Sequence, residues 1–234
     1  MNITSASFDC SAPDLDSCPD ESLPEFAFIG RSNVGKSSLL NMLSGQVGLA
    51  RVSTTPGFTK MINMFTMNKT WRLVDLPGYG YAHVARKDMA EFNQAVSDYL
   101  EHRANLCRVF ALIDSGLPPQ KIDLEFIEWL ATNAIPFVLV FTKTDRSKPA
   151  KVKTNIAAFM DRISAWSVKV PEVFTCSATT RQGRKELLGF IKTAIAAERA
   201  ASGENAPDAA SPAKDSPTTG RMVTSRRPNP ARPW

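Results

Sequence analysis

The stretch GRSNVGKS, Gly30 to Ser37, decides how the rest of the chain is read. It fits the spacing G-x-x-x-x-G-K-[ST]. It lies between the apolar run EFAFIG (25–30) and a segment whose leucines, Leu39, Leu40 and Leu43, recur at helical spacing. Gly30 and Gly35 let backbone N–H groups along Arg31, Ser32, Asn33 and Val34 curl around phosphate oxygens. Lys36 adds a mobile positive charge, Ser37 offers a hydroxyl to Mg2+, and the helix N-terminus adds a partial positive charge. Strand, glycine-bounded turn and helix in that order predict a phosphate loop.

Outward from this loop, short apolar runs alternate with helical segments. MINMFTM (61–67) and TWRLVDL (70–76) flank Asn68-Lys69 and read as a hairpin. A helix with Met89, Phe92, Val96, Tyr99 and Leu100 on one stripe leads to the strand CRVFALID (107–114). Prolines open the next helix, which places Leu124, Ile127, Leu130 and Ala131 together. PFVLVFTK (136–143) is an apolar strand. The following helix carries Val152, Ile156, Phe159, Met160 and Ile163; EVFTCSA (172–178) is the last strand, and a final helix buries Leu187, Leu188, Ile191 and Ile195. Continuous rather than alternating apolar strands predict an α/β fold of the P-loop NTPase type. The expected sheet is mostly parallel and six-stranded, with one antiparallel edge strand and helices on both faces. Ligands in such sheets bind outside the carboxyl ends of the strands.

The bulk composition is that of a globular protein: 234 residues, 43% apolar and 22% charged. No run approaches the roughly 18 apolar residues a spanning helix needs. The net charge of +5 is uneven, since the first 25 residues carry six acids and no Lys or Arg. That start fits neither a secretory signal nor an Arg-rich transit peptide, so a cytoplasmic protein is expected. The basic body suggests an anionic partner. Cys10, Cys18, Cys107 and Cys176 match no CxxC or zinc spacing, and the last two sit in apolar runs as small core residues. The expected division is a disordered acidic N-terminal arm (1–22), one folded domain (23–200), and a disordered Ala/Pro/Ser-rich tail with closing arginines (201–234). The tail arginines either solubilise or touch an anionic surface such as RNA.

Three further loops follow strand ends, and a fourth lies between the first helix and the hairpin. In DLPG, the Asp75 carboxylate can hold a Mg2+ hydration shell, and the N–H of Gly78 can meet a γ-phosphate and respond when it leaves. In TKTD (142–145), Asp145 can accept two hydrogen bonds from the guanine N1–H and amine while the stem of Lys143 packs along the ring. Adenine offers an acceptor where guanine has a donor, so the base expected is guanine. A solvated helix-start Asp is the other reading of Asp145. CSA (176–178) could line the guanine O6. In STTPGFTK (53–60) a switch loop needs one Thr on Mg2+, and Thr59 is the choice over Thr54 and Thr55, which read as turn residues.

These motifs together resemble the TrmE-Era-EngA-EngB-Septin-like GTPases, and within them the EngB group of bacterial ribosome-biogenesis GTP-binding proteins. The specific residues are GRSNVGKSSLLN, TPGFTK, RLVDLPGYGYA, IEWL, TK.D and the closing SA. The resemblance implies a GTPase domain that binds GTP and Mg2+, hydrolyses GTP slowly, and associates with the large ribosomal subunit during assembly, with cell division and septation as downstream effects. By motif, Gly30, Arg31, Ser32, Asn33, Val34, Gly35, Lys36 and Ser37 would hold the phosphates, with Ser37 on Mg2+. Gly57, Phe58, Thr59, Lys60 and Met61 would form the responsive loop, with Thr59 the second Mg2+ ligand. Asp75, Leu76, Pro77 and Gly78 would sense the γ-phosphate. Thr142, Lys143, Thr144 and Asp145 would recognise guanine, with Cys176, Ser177 and Ala178 closing the pocket. Catalysis would fall on Lys36, Thr59 and Gly78.

Thr142 stands where most of the superfamily has Asn, which weakens the expected contact to the purine. Asn33 is read either as a K+ ligand, as in related GTPases, or as a turn residue tolerating unusual backbone angles. Tyr79 follows Gly78 where Ras-type enzymes carry a water-positioning Gln. A phenol cannot replace a carboxamide, so slow turnover is expected, with water positioned by backbone, by a cation near Asn33, or by a partner. His83 reads as solvent-facing rather than as a base. Arg146, Lys148, Lys151 and Lys153, and again Arg181, Arg184 and Lys185, form either a solvated face or a contact to rRNA. A monomer without membrane attachment is expected. The alternatives are a nucleotide-gated interaction module for a membrane or cytoskeletal partner, and a P-loop ATPase or small-molecule kinase.

Overall fold

In the computed structural model, residues 1–50, 61–80, 86–166 and 171–201 are described, residues 86–92 by their backbone alone. The elements in order are β1 (Ala6–Ala12), β2 (Glu25–Gly30), α1 (Lys36–Ser44), β3 (Ile62–Met67), β4 (Trp71–Asp75), α2 (Arg86–His102), β5 (Leu106–Asp114), α3 (Lys121–Thr132), β6 (Phe137–Thr142), α4 (Pro149–Ser164), β7 (Val173–Thr175) and α5 (Arg184–Ala201).

EFAFIG forms the central β2, buried at every position, because each face of the sheet meets helices. Phe26 and Phe28 point to the side covered by Leu39, Leu40 and Leu43 of α1 and Leu187, Leu188 and Ile191 of α5. Ala27 and Ile29 point to the other side, where Tyr99 of α2, Phe126 and Leu130 of α3, and Phe159 and Ile163 of α4 pack. In β5, Phe110 and Leu112 alternate with Val109, Ala111 and Ile113 in the same way. Ala131, expected on the α3 stripe, is exposed, and Phe126 and Trp129 take the buried places instead. The Asn68-Lys69 hairpin is present. Both residues have left-handed φ, 51° and 56°, the turn whose twist matches that of the flanking strands.

The sheet is seven-stranded, ordered β1-β3-β4-β2-β5-β6-β7, so the expected six strands are one too few. β3 is antiparallel to β4 and would have been the edge, but β1 pairs antiparallel along it from Ala6 opposite Met67 to Ala12 opposite Ile62. The β2, β4, β5, β6 and β7 pairings are all parallel.

β1 also corrects the reading of residues 1–22 as a disordered arm. The segment is held by a charge network at the amino ends of the central strands. Glu25, with no exposed surface, accepts from Arg103 Nε and Nη2 at 2.9 and 2.7 Å, from the Tyr99 hydroxyl at 2.6 Å and from Arg72 at 3.3 Å. The same arginines donate outward to the arm: Arg72 to the Asp20 carbonyl at 2.7 Å, and Arg103 to the Pro19 carbonyl at 2.8 Å. A buried carboxylate persists only when paired and hydrogen-bonded in this manner. The expectation for the tail falls on residues 202–234, outside the described residues.

Candidate functional site

The loops after β2, β4, β6 and β7 converge at the carboxyl ends of the strands, as the parallel topology requires. The turn after β2 needs its glycines for two different reasons. A Cβ on Gly30 would lie 2.7 Å from the Leu112 carbonyl oxygen, so the close approach of β2 and β5 excludes a side chain. Gly35, the residue before α1, has φ +102°, a conformation side chains rarely adopt. Asn33 is also left-handed, at φ 62°, in keeping with its reading as a turn residue.

Lys36 begins α1 and is buried together with Asp75 at the end of β4, and the two form an ion pair. Ser37 follows in the first turn of α1. The loop after β4 is tied back to the phosphate loop. Leu76 N–H donates to the Phe28 carbonyl at 3.1 Å, Tyr79 N–H to the Gly30 carbonyl at 3.2 Å, and Ser32 N–H to the Tyr79 carbonyl at 3.3 Å. Leu76, Pro77 and Gly78 therefore lie beside Gly30 to Ser32.

The third strand end reaches the same loop. The Thr142 hydroxyl, buried, donates to the Val34 carbonyl at 2.6 Å. Lys143 Nζ donates to the Asn33 carbonyl at 2.6 Å and pairs with Asp114 at 2.7 Å. Asp114, at the end of β5, was not among the sequence candidates. The only signal was its place at a strand terminus. Thr142, expected as a weak purine contact, instead spends its hydroxyl on the phosphate loop, because its side chain points under that loop.

A cleft opens beside these residues, lined by Gly35, Leu39, Thr142, Lys143, Asp145, Arg146, Cys176, Ala178 and Thr179. Thr144 N–H donates to the Cys176 carbonyl at 3.3 Å and so joins the two loops that form its walls. The exposed Asp145 accepts a hydrogen bond from the Ser177 side chain, which together with Thr179 holds its carboxyl below the usual range. Asp145 is thus ionised and acceptor-only, suited to a ligand edge with two donors. Burial pushes the Cys176 thiol up to about 12, so it is a core residue rather than a nucleophile.

Of the loop expected over residues 57–61, only Met61 is described; it is exposed just before β3. Gly57, Phe58, Thr59 and Lys60, with Thr54, Thr55 and His83, lie outside the described residues. Among the basic candidates, Arg146, Lys148, Lys151, Lys153, Arg181 and Lys185 are exposed. Arg184 is not free for a partner: it donates to the Met42 and Leu43 carbonyls at 2.7 and 3.0 Å and closes the carboxyl end of α1. Among the described residues no helix is long and apolar enough to cross a membrane.

Fold and site together define a P-loop GTPase domain. A family described as 50S ribosome-binding GTPase matches residues 25–143. A probable GTP-binding protein EngB of Bacteroides fragilis is 49% identical over 193 residues, 82% of this chain and 96% of its own. Its counterpart in Bacteroides thetaiotaomicron is 49% identical over 192 residues, covering 82% and 95%. The crystal structure of a probable EngB superposes with a TM-score of 0.60 at 24% identity, over 74% of this chain and 99% of that one. The chain belongs to the EngB family of GTP-binding proteins. It accordingly binds GTP and hydrolyses it.

Mg2+ is the metal GTPase folds generally use, and the donor set suits it. The Ser37 hydroxyl would offer it a hard oxygen, and the Asp75 carboxylate, paired with Lys36, lies at the adjoining strand end.

Proposed function

We propose that the chain is a guanine-nucleotide switch whose GTP state docks on the large ribosomal subunit during its assembly, with cell division affected downstream. The observation that carries this reading is the adjacency of the Asp145 cleft to the exposed cations Arg146, Lys148, Lys151 and Lys153. The cleft read as the base site then lies next to a surface suited to a polyanion. In this reading the Asp145 carboxylate accepts from the guanine N1–H and amine, and the Lys143 stem lies along the ring. Cys176, Ser177 and Ala178 close the O6 side. N–H groups from Gly30 to Ser37 and the Lys36 ammonium hold the phosphates, with Thr59 and Gly78 completing the γ-phosphate shell.

Mg2+, held by Ser37 with Asp75 nearby and Thr59 as its second ligand, would neutralise charge developing on the β- and γ-phosphates. Tyr79 is turned into the core and cannot orient water, which supports slow intrinsic turnover accelerated by the partner or by K+ beside Asn33. The test is binding of purified protein to large-subunit particles with a non-hydrolysable GTP analogue, with GDP, or with neither. Binding with the analogue alone is expected, and equal binding in all three sinks the switch. Hydrolysis rates with and without subunits, in K+ and in Na+, separate the two sources of acceleration.

A further inference from the structure

Gly78 is suspended between two fixed points. Upstream, Leu76 N–H is bonded to β2 at the Phe28 carbonyl, and downstream Tyr79 is bonded through both its N–H and its carbonyl to Gly30 and Ser32. The Tyr79 side chain makes the downstream point firmer still. Its ring is 2% exposed and lies 4.6 Å from that of Phe126, and its hydroxyl donates to Asp123 Oδ1 at 3.0 Å. Asp123 sits in the first turn of α3, itself 3% exposed. The residue after Gly78 is thus bonded to an element outside the phosphate-binding loops.

A peptide N–H contributes to an anion site according to how well its direction is fixed beforehand, because a donor that must first be ordered loses that ordering entropy from the binding free energy. An N–H aimed at the terminal phosphate acts on GTP and not on GDP. Resting on the switch reading above, we infer that Asp123 and Tyr79 are positioning residues. Their hydrogen bond anchors the loop after β4 to α3 and holds Gly78 where its N–H meets the γ-phosphate, so that it sets the preference for GTP over GDP. Neither residue touches the nucleotide. They act through Gly78, and they make α3 an element whose displacement would be felt at the γ-phosphate.

The experiment measures dissociation constants for GDP and for a non-hydrolysable GTP analogue in Mg2+, with thermal unfolding in parallel. The proteins are the full chain and its G78A, Y79F, D123A and D123N variants. Y79F keeps the buried ring and removes only the hydroxyl; D123N keeps an oxygen that can accept from it. Loss of one buried hydrogen bond is expected to weaken analogue binding about fivefold in Y79F and D123A while GDP binding holds, with D123N close to the parent. A purely structural role would lower the unfolding temperature and leave the ratio of the two constants unchanged. That result in Y79F and D123A, while G78A still weakens the analogue selectively, overturns the positioning role and leaves the switch reading standing. A parent chain that does not distinguish the analogue from GDP overturns the switch reading, and the positioning role with it.

Discussion

Replacing Thr142 by Val isolates one hydroxyl. The side chain is 3% exposed, and its hydroxyl lies 2.6 Å from the Val34 carbonyl and 3.2 Å from that of Ile113. A hydroxyl has one proton, which goes to the nearer acceptor, so the bond at stake is the one that ties β6 to the phosphate loop. Valine keeps the shape and leaves the Val34 carbonyl without that donor. An orphaned buried acceptor costs about 1–3 kcal/mol. The expected result is a loss of that size in unfolding free energy by urea titration. Because the loop is no longer braced, binding of fluorescent GDP and of a fluorescent GTP analogue should weaken together, by roughly 5- to 30-fold for each 1–2 kcal/mol lost locally. Thr142→Ser, which keeps the hydroxyl, should retain most of the affinity. The choice between guanine and hypoxanthine nucleotides should not change, since the side chain points at the loop and not at the base. Parent-like GDP binding in T142V, or an altered base preference with unaltered phosphate binding, would refute this account and return Thr142 to the purine.

Four other outcomes can be checked. Gly30→Ala places a Cβ against the Leu112 backbone, which cannot give way, and should cost about 1–3 kcal/mol in thermal or urea unfolding. Asp145→Asn should move preference from guanine to xanthine nucleotides in competition binding; unchanged preference removes Asp145 from base recognition. Burial raises the Asp123 carboxyl from 3.8 to about 6, so the folded state favours the proton. Its contribution to stability is complete below about pH 4 and is lost as pH rises through 6, and urea unfolding of D123N should lack that part of the decline. Glu25→Ala removes the buried carboxylate that Arg103 and Arg72 share and leaves them only the longer pairs to Glu21, Asp9 and Asp20, an expected loss of up to about 3–5 kcal/mol, and should expose residues 1–22 to limited proteolysis.

The fold was legible where physics is local. Strands covered on both faces must be apolar throughout, so β2, β5 and β6 stand out as runs, and α1, α4 and α5 show their stripes at the residues that are buried. β1 was hidden by composition. Ala6, Phe8, Cys10 and Ala12 do alternate with Ser7, Asp9 and Ser11, but Phe8 is exposed, the register shifts between Phe8 and Cys10, and the surrounding acids and prolines read as an unstructured arm. What orders the arm lies far along the chain: β3 across a sheet edge, and Arg72 and Arg103 some fifty to eighty positions on. A sequence pattern carries no information about such a pairing. The same limit explains the site. The loop motifs single out Lys36, Asp75 and Asp145 as candidates, whereas Asp114 and Asp123 are tied to the neighbouring loops by partners 29 and 44 residues away.

The phosphate loop and the base cleft are mechanically one object. Thr142 and Lys143 belong to the motif proposed to read the base, yet both donate to carbonyls of the phosphate loop, at Val34 and Asn33. The loop is braced from the opposite side by Tyr79 through Gly30 and Ser32. All these ties end on backbone atoms, so they fix the path of the loop without depending on its side chains. Movement of the segment carrying Asp145 must then shift the amides of the phosphate loop, and movement of the segment carrying Gly78 must do the same from the other side. In the proposed pose, a nucleotide spanning both halves would be held by a single preorganised frame, in which the base end and the γ-phosphate end communicate through a loop of eight residues.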